Sequence, residues 1–153
     1  MTRNKFDQFS KEFLEELLSP LGTVEKSLEV LGTSRLVDLY FAPASQTAAD
    51  PQMLGLLGRI AATPCLLEPF RNPPTTTEVK DCLLKLLSVH TDLQRRIQRD
   101  DTAVSEEDLP TLWILASSVS GNLLERFAAT SNESWPSQTV GMSSVLPHFL
   151  PNF

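Results

Sequence analysis

Residues 24–41 restrict the chain to folds that contain a sheet. Val24, Leu28 and Val30 alternate with Glu25, Ser27 and Glu29, the period of two that turns one face of a strand to a core and the other to water. Arg35 to Phe41 follows, rich in branched and aromatic residues, and Gly32, Thr33 and Ser34 supply a turn between the two runs. The segment reads as a β-hairpin. A lone hairpin is marginal in water, so other elements must cover its apolar face.

The flanking sequence supplies them. Residues 4–18 read as an amphipathic helix, with Phe6, Phe9, Phe13, Leu14, Leu17 and Leu18 at three-and-four spacing, Asn4 as cap, and Pro20 and Gly22 as stops. After a small-residue loop over 42–50, Asp50-Pro51 is a cap followed by a first-turn proline. It opens a helix over 51–62 that Gly55 and Gly58 each weaken by about 1 kcal/mol relative to alanine. Cys65 to Phe70 is long enough only for a strand, and Pro69 puts its end near the sheet edge. Thr75 to Thr77 with Glu78 start the longest helix, which runs through Val79, Cys82, Leu86, His90, Leu93 and Ile97 to about Arg99. Residues 100–108 read as an acidic surface loop. The continuous apolar run Leu112-Trp113-Ile114-Leu115 is that of a strand covered on both faces, and Ser117 or Ser118 caps a last helix to about Phe127.

From 131 to 153 neither period holds, and Pro136, Gly141, Pro147 and Pro151 punctuate an irregular tail. The sequence therefore predicts a single αβ domain over 1–130, a small mixed sheet of about four strands flanked by helices, and a C-terminal tail over 131–153. A chain of 153 residues, 41% apolar and 21% charged, has room for one such core. No apolar run is long enough to span a membrane, and the opening residues are too charged for a secretory signal, which places the chain in the cytoplasm.

Cys65 and Cys82 lie in apolar surroundings with no CxxC spacing, which fits reduced, buried thiols. His90 is the base nearest Cys82 in sequence, but two helical turns, roughly 12 Å, separate them. Zinc is not indicated.

Asp38 breaks the pattern of its own strand. It lies in the middle of Leu36-Val37-Asp38-Leu39-Tyr40-Phe41, where an unpaired carboxylate facing a dry core costs several kcal/mol, of order 2–7 for even a neutral polar group. By alternation it shares a face with Leu36 and Tyr40. Glu68 repeats the oddity between Leu67 and Pro69, and Glu16 borders the apolar stripe of the first helix near Phe9, whereas Glu15 points away. Two readings stand. Glu16, Asp38 and Glu68 converge at one sheet edge and hold Mg²⁺, a hard cation that selects oxygen ligands and activates water for phosphodiester hydrolysis. Alternatively Asp38 pairs with Arg35 or Arg59, Glu68 with Arg71, and Glu16 is merely solvated.

The run Phe9-Ser10-Lys11-Glu12-Phe13-Leu14-Glu15-Glu16-Leu17-Leu18, followed by the hairpin strand Arg35-Leu36-Val37-Asp38-Leu39-Tyr40-Phe41, resembles uncharacterised bacterial, particularly cyanobacterial, proteins allied to the PD-(D/E)XK nucleases. It is similar to the opening of the recombination-promoting nuclease, or putative transposase, group. The resemblance implies a restriction-endonuclease-like topology over residues 4–117, with 51–62 as a helical insertion. It also implies Asp38 as the motif aspartate, Glu68 as the later acidic ligand, Glu16 as the helix carboxylate, and a DNA substrate cut with Mg²⁺. The motif's lysine, two residues after the second acid, is replaced by Phe70, with Arg71 or Lys80 as stand-ins.

The charge balance works against that substrate, since 13 basic and 19 acidic side chains leave a net charge of −6. Arg95, Arg96 and Arg99, joined by Lys85, form the local basic cluster, and a solvated helix end is the better explanation of it. The competing function is a non-enzymatic interaction or regulatory module that self-associates, with Trp135, Phe149 and Phe153 as contact points. No phosphate-binding glycine loop, nucleophile elbow or dinucleotide fingerprint supports another enzyme class.

Overall fold

A computed structural model describes residues 5–30, 32, 35–47, 49–100 and 108–129. The Asn4 cap, most of the hairpin turn, most of the 100–108 loop and the 131–153 tail lie outside these residues. In chain order the elements are α1 (Lys5–Leu18), β1 (Gly22–Glu29), β2 (Leu36–Pro43), a 3₁₀ turn (Pro51–Leu54), α2 (Leu56–Ile60), β3 (Cys65–Phe70), α3 (Thr76–Asp100), β4 (Thr111–Ala116) and α4 (Gly121–Arg126). This is a mixed αβ fold.

The four strands lie in the order β1-β2-β3-β4. β1, β2 and β3 pair antiparallel, and β3 and β4 pair parallel, with α3 as the crossover that a parallel neighbour requires. α1 and α2 cover one face, where Leu14, Leu18, Leu39, Phe41, Ile60 and Leu67 form a core. α3 covers the other, where Val37, Leu66, Cys82, Leu86 and Leu112 form a second. β4 contributes to both, through Trp113 and Leu115 on the α1 side and Leu112 and Ile114 on the α3 side, as its unbroken apolar run requires.

α3 begins with a reciprocal cap. Thr75 N–H donates to Glu78 Oε2 at 2.7 Å and Glu78 N–H donates to Thr75 Oγ1 at 3.2 Å, so two amides left over at the helix start are satisfied. α4 is capped by Ser120, whose Oγ accepts from Leu123 N–H at 3.2 Å, and not by Ser117 or Ser118.

Two other expectations are corrected, for 51–62 and for the buried face of α1, and the pairing of β3 is made specific. The 51–62 helix is two pieces: Asp50 caps a 3₁₀ turn by accepting from Gln52 N–H, and Gly55, at φ 55°, turns the chain before α2. β3 is an inner strand whose end, rather than its whole length, lacks a neighbour on one side. Pro69 is tolerated there because the β2 ladder reaches only Leu67, beyond which β3 pairs with β4 alone. On α1, the buried stripe is Ser10, Leu14 and Leu18, while Phe9 and Phe13 are 63% and 49% exposed. Six apolar residues spread over more than one face, and the inner arc belongs to those that meet the sheet.

Candidate functional site

Asp38 and Glu68 come together where β2 and β3 part. Their ladder runs Phe41↔Cys65, Tyr40↔Leu66, Leu39↔Leu67, and the next opposed pair, Asp38 and Glu68, is not part of it. Asp38 N–H, freed from that ladder, donates to Glu68 Oε1 at 3.3 Å. A side chain thus takes the place of a backbone carbonyl, which satisfies an otherwise stranded amide.

The other side of β2 is irregular at the same point. β1 and β2 pair Lys26↔Leu39 and Leu28↔Val37 but skip Ser27 and Asp38, and Ser27 takes φ 54°, in the left-handed region. Strict alternation fails as a result. Val37 and Tyr40 join the core under α3, whereas Leu39 and Phe41 join the core under α1, so Asp38 does not simply share a face with Leu36 and Tyr40. Its carboxylate reaches α1, where Lys11 Nζ lies 2.8 Å from Oδ1.

Lys11 also lies 3.3 Å from Asp7, one turn back on α1. Burial opposes its charge, but the hydrogen bond and charge of Asp38, with help from Asp7, outweigh that and hold the ammonium above its ordinary pKa. Glu68 is deeper, at 1% exposed, and its Oε2 accepts from Lys85 Nζ at 2.8 Å. Burial, and secondly the charge of Asp38, push its carboxyl up to about 7 against the pull of Lys85. The site is therefore a chain of alternating charge, Asp7, Lys11, Asp38, Glu68, Lys85, interrupted where the two acids adjoin.

A cavity of about 380 Å³ adjoins this chain at Asp7, walled by Phe6, Phe70, Arg71, Asn72 and Glu78. Asp38, Glu68, Lys11 and Lys85 do not line it.

Of the three acidic residues singled out in the sequence, two are neighbours, through the Asp38 backbone N–H on the Glu68 carboxylate, while the Asp38 carboxylate is held by Lys11 of α1 and that of Glu68 by Lys85 of α3. Glu16 stands exposed on the outer arc of α1, and it is Glu15 that faces the sheet, 2.5 Å from Lys26 on β1. Among the described residues no group of three or more His, Cys, Asp or Glu side chains is arranged to hold a metal ion. The cations on the two acids are lysines. Arg35 pairs with Asp81 on α3 at 3.1 Å, and Arg71 lines the cavity.

Lys11 and Lys85 as partners of the two acids are what sequence reasoning missed. Both had a signal: Lys11 sits three residues before Leu14 on the buried arc, and Lys85 sits three after Cys82 and four before Val89 on the apolar face of α3. A lysine on an inward stripe needs a buried acid. Cys65 and Cys82 are buried, and burial pushes each thiol up to about 12, which leaves them protonated and inert. His90 donates from Nε2 to the Pro110 carbonyl at 2.7 Å, fastening α3 to the start of β4.

Comparison with known proteins gives no match to any family model, curated protein or solved structure. Among the described residues no helix is long and apolar enough to cross a membrane.

Proposed function

We propose that the chain is a metal-dependent nuclease of the PD-(D/E)XK kind, in which Asp38 and Glu68 hold Mg²⁺ and Lys85 supplies the ammonium that the strand lacks at Phe70. The observation that carries this reading is the Glu68 carboxylate accepting from the Asp38 backbone N–H at the parting of β2 and β3, with Lys85 Nζ 2.8 Å from Glu68. The element order from α1 to β4 agrees with the core that the resemblance implies. The donor set fits the ion, since Mg²⁺ is usually held by one or two carboxylates with water and substrate phosphate completing its shell. Bound there, the cation would acidify a water and neutralise charge on a phosphodiester.

The chain's own residues would do the rest. Lys85 keeps the Glu68 carboxylate oriented, whereas Lys11 shares the Asp38 carboxylate with the cation. Arg71, on the cavity wall, is placed to meet a phosphate of DNA, a local cation on a chain of net charge −6.

One observation favours a second reading. Each acid already holds an ammonium, so the site is close to neutral without a metal, as in a scaffold whose acids serve packing alone. Calorimetric titration with Mn²⁺ and Mg²⁺, and cleavage assays on plasmid and single-stranded DNA, separate the two. The nuclease reading expects binding and cleavage that Asp38→Asn and Glu68→Gln abolish. No heat of binding and no cleavage leave the scaffold.

A further inference from the structure

The outer arc of α1 carries a pattern used neither by the core nor by the carboxylates. With 3.6 residues per turn, Lys5, Phe9, Glu12 and Glu16 fall in one line along the helix and Phe13 lies beside it. Phe9 and Phe13 are exposed, yet their rings stack on each other, with centroids 5.8 Å apart and planes 13° apart. Beside them Phe6, Phe70 and Leu115 line an open apolar trough with Arg71 at its margin. It runs toward β4, the last strand of the sheet among the described residues. Two large aromatic rings held in water next to an apolar trough are costly for a chain that stays alone.

We propose that this face joins two copies of the chain, α1 packed antiparallel on α1 about a two-fold axis between Phe9 and Phe13. A two-fold interface must be complementary to itself, and the order of side chains along the arc meets that condition in one direction only. Run antiparallel, Phe9 of each copy lies over Phe13 of the other, and Lys5 at one end comes beside Glu16 at the other end of its partner. A parallel pairing would instead set Lys5 on Lys5 and Glu16 on Glu16. Glu12, one residue from the axis, meets its own copy in either direction, so the two Lys5–Glu16 pairs alone select the antiparallel arrangement, and aromatic burial drives it. The chain's own 131–153 stretch is a poorer occupant. It has Glu133 as its one acid and no Lys or Arg to answer Glu16.

The test is sedimentation equilibrium with light scattering on the full chain over a wide concentration range. A reversible monomer–dimer equilibrium is expected, and Phe9→Glu with Phe13→Glu should leave a folded monomer. Lys5→Glu should weaken the dimer by about tenfold or more, and Lys5→Glu with Glu16→Lys should restore it, because the swapped charges again attract across the axis. Should the double phenylalanine variant fail to fold, the charge swap decides alone. A chain that is monomeric throughout overturns the proposal, with the trough then left to its own tail or to a foreign segment. A dimer indifferent to Lys5→Glu, or one that the swap fails to restore, overturns it too.

Discussion

Lys85 and Glu68 meet 2.8 Å apart at a point where Glu68 is almost wholly shut off from water. Burial, followed by the charge of Asp38, keeps the Glu68 carboxyl protonated to about pH 7, whereas in the unfolded chain it ionises near 4.5. Over that window the folded state binds the extra proton, so this group's contribution to stability is fully present below pH 4.5, falls as pH rises, and is lost above about 7. The ceiling is about 3 kcal/mol. Urea unfolding at a series of pH values should show that decline, and Glu68→Gln, which cannot ionise, should flatten it. An unchanged slope in the variant would assign the decline to other groups.

Removing the cation alone tests the same pair from the other side. Lys85→Met leaves a buried acid beside the Asp38 carboxylate, and at pH 8 this should cost about 3 kcal/mol, the usual scale for a broken buried pair. At pH 5, where Glu68 carries its proton, the loss should shrink. Adding Glu68→Gln to Lys85→Met should recover most of the loss at pH 8, as read from urea midpoints.

The Lys11 and Asp38 pair is nearer the surface, with side chains 15% and 23% exposed. A double-mutant cycle with Lys11→Met and Asp38→Asn should give a coupling energy of about 1 kcal/mol that falls in high salt. If Asp38 also binds Mg²⁺, Lys11→Met should tighten that binding, because the ammonium and the cation compete for one carboxylate. Weaker Mg²⁺ binding in that variant would mean that Lys11 orients the ligand more than it competes for it.

Period alone revealed most of the fold: the hairpin, Cys65–Phe70, the Thr75 to Glu78 cap and the two-faced apolar run of β4 are local patterns that tertiary packing did not override. The site was legible by half. Asp38 and Glu68 stood out as acids in apolar strands, but their meeting depends on a ladder that ends at Leu39↔Leu67, and register is a long-range property. Glu16 was misplaced for a different reason. The phenylalanines outweigh Ser10 in any count of apolar residues, whereas the sheet accepts whichever arc its own shape admits, and here that arc carries Ser10, Leu14 and Leu18. Arginines drew attention as partners for the acids, yet lysines on inward stripes took them.

Gly58 marks a place where a residue that weakens a helix is required by packing. The glycine is buried at the centre of α2, and a Cβ placed on it would run into the carbonyl of Pro51 at the start of the preceding 3₁₀ turn. Propensity favours alanine by about 1 kcal/mol, but a clash with backbone cannot be relieved by a side-chain rotation. Overpacking of this kind typically costs about 1–3 kcal/mol, so it wins. Gly58→Ala should therefore lower stability by about 2 kcal/mol net, measured by urea unfolding, while Gly121→Ala, in open space at the first position of α4, should raise it slightly or leave it unchanged. If Gly58→Ala stabilises the protein, the 3₁₀ turn does not pack on α2 as described, and 51–60 is better regarded as one continuous helix.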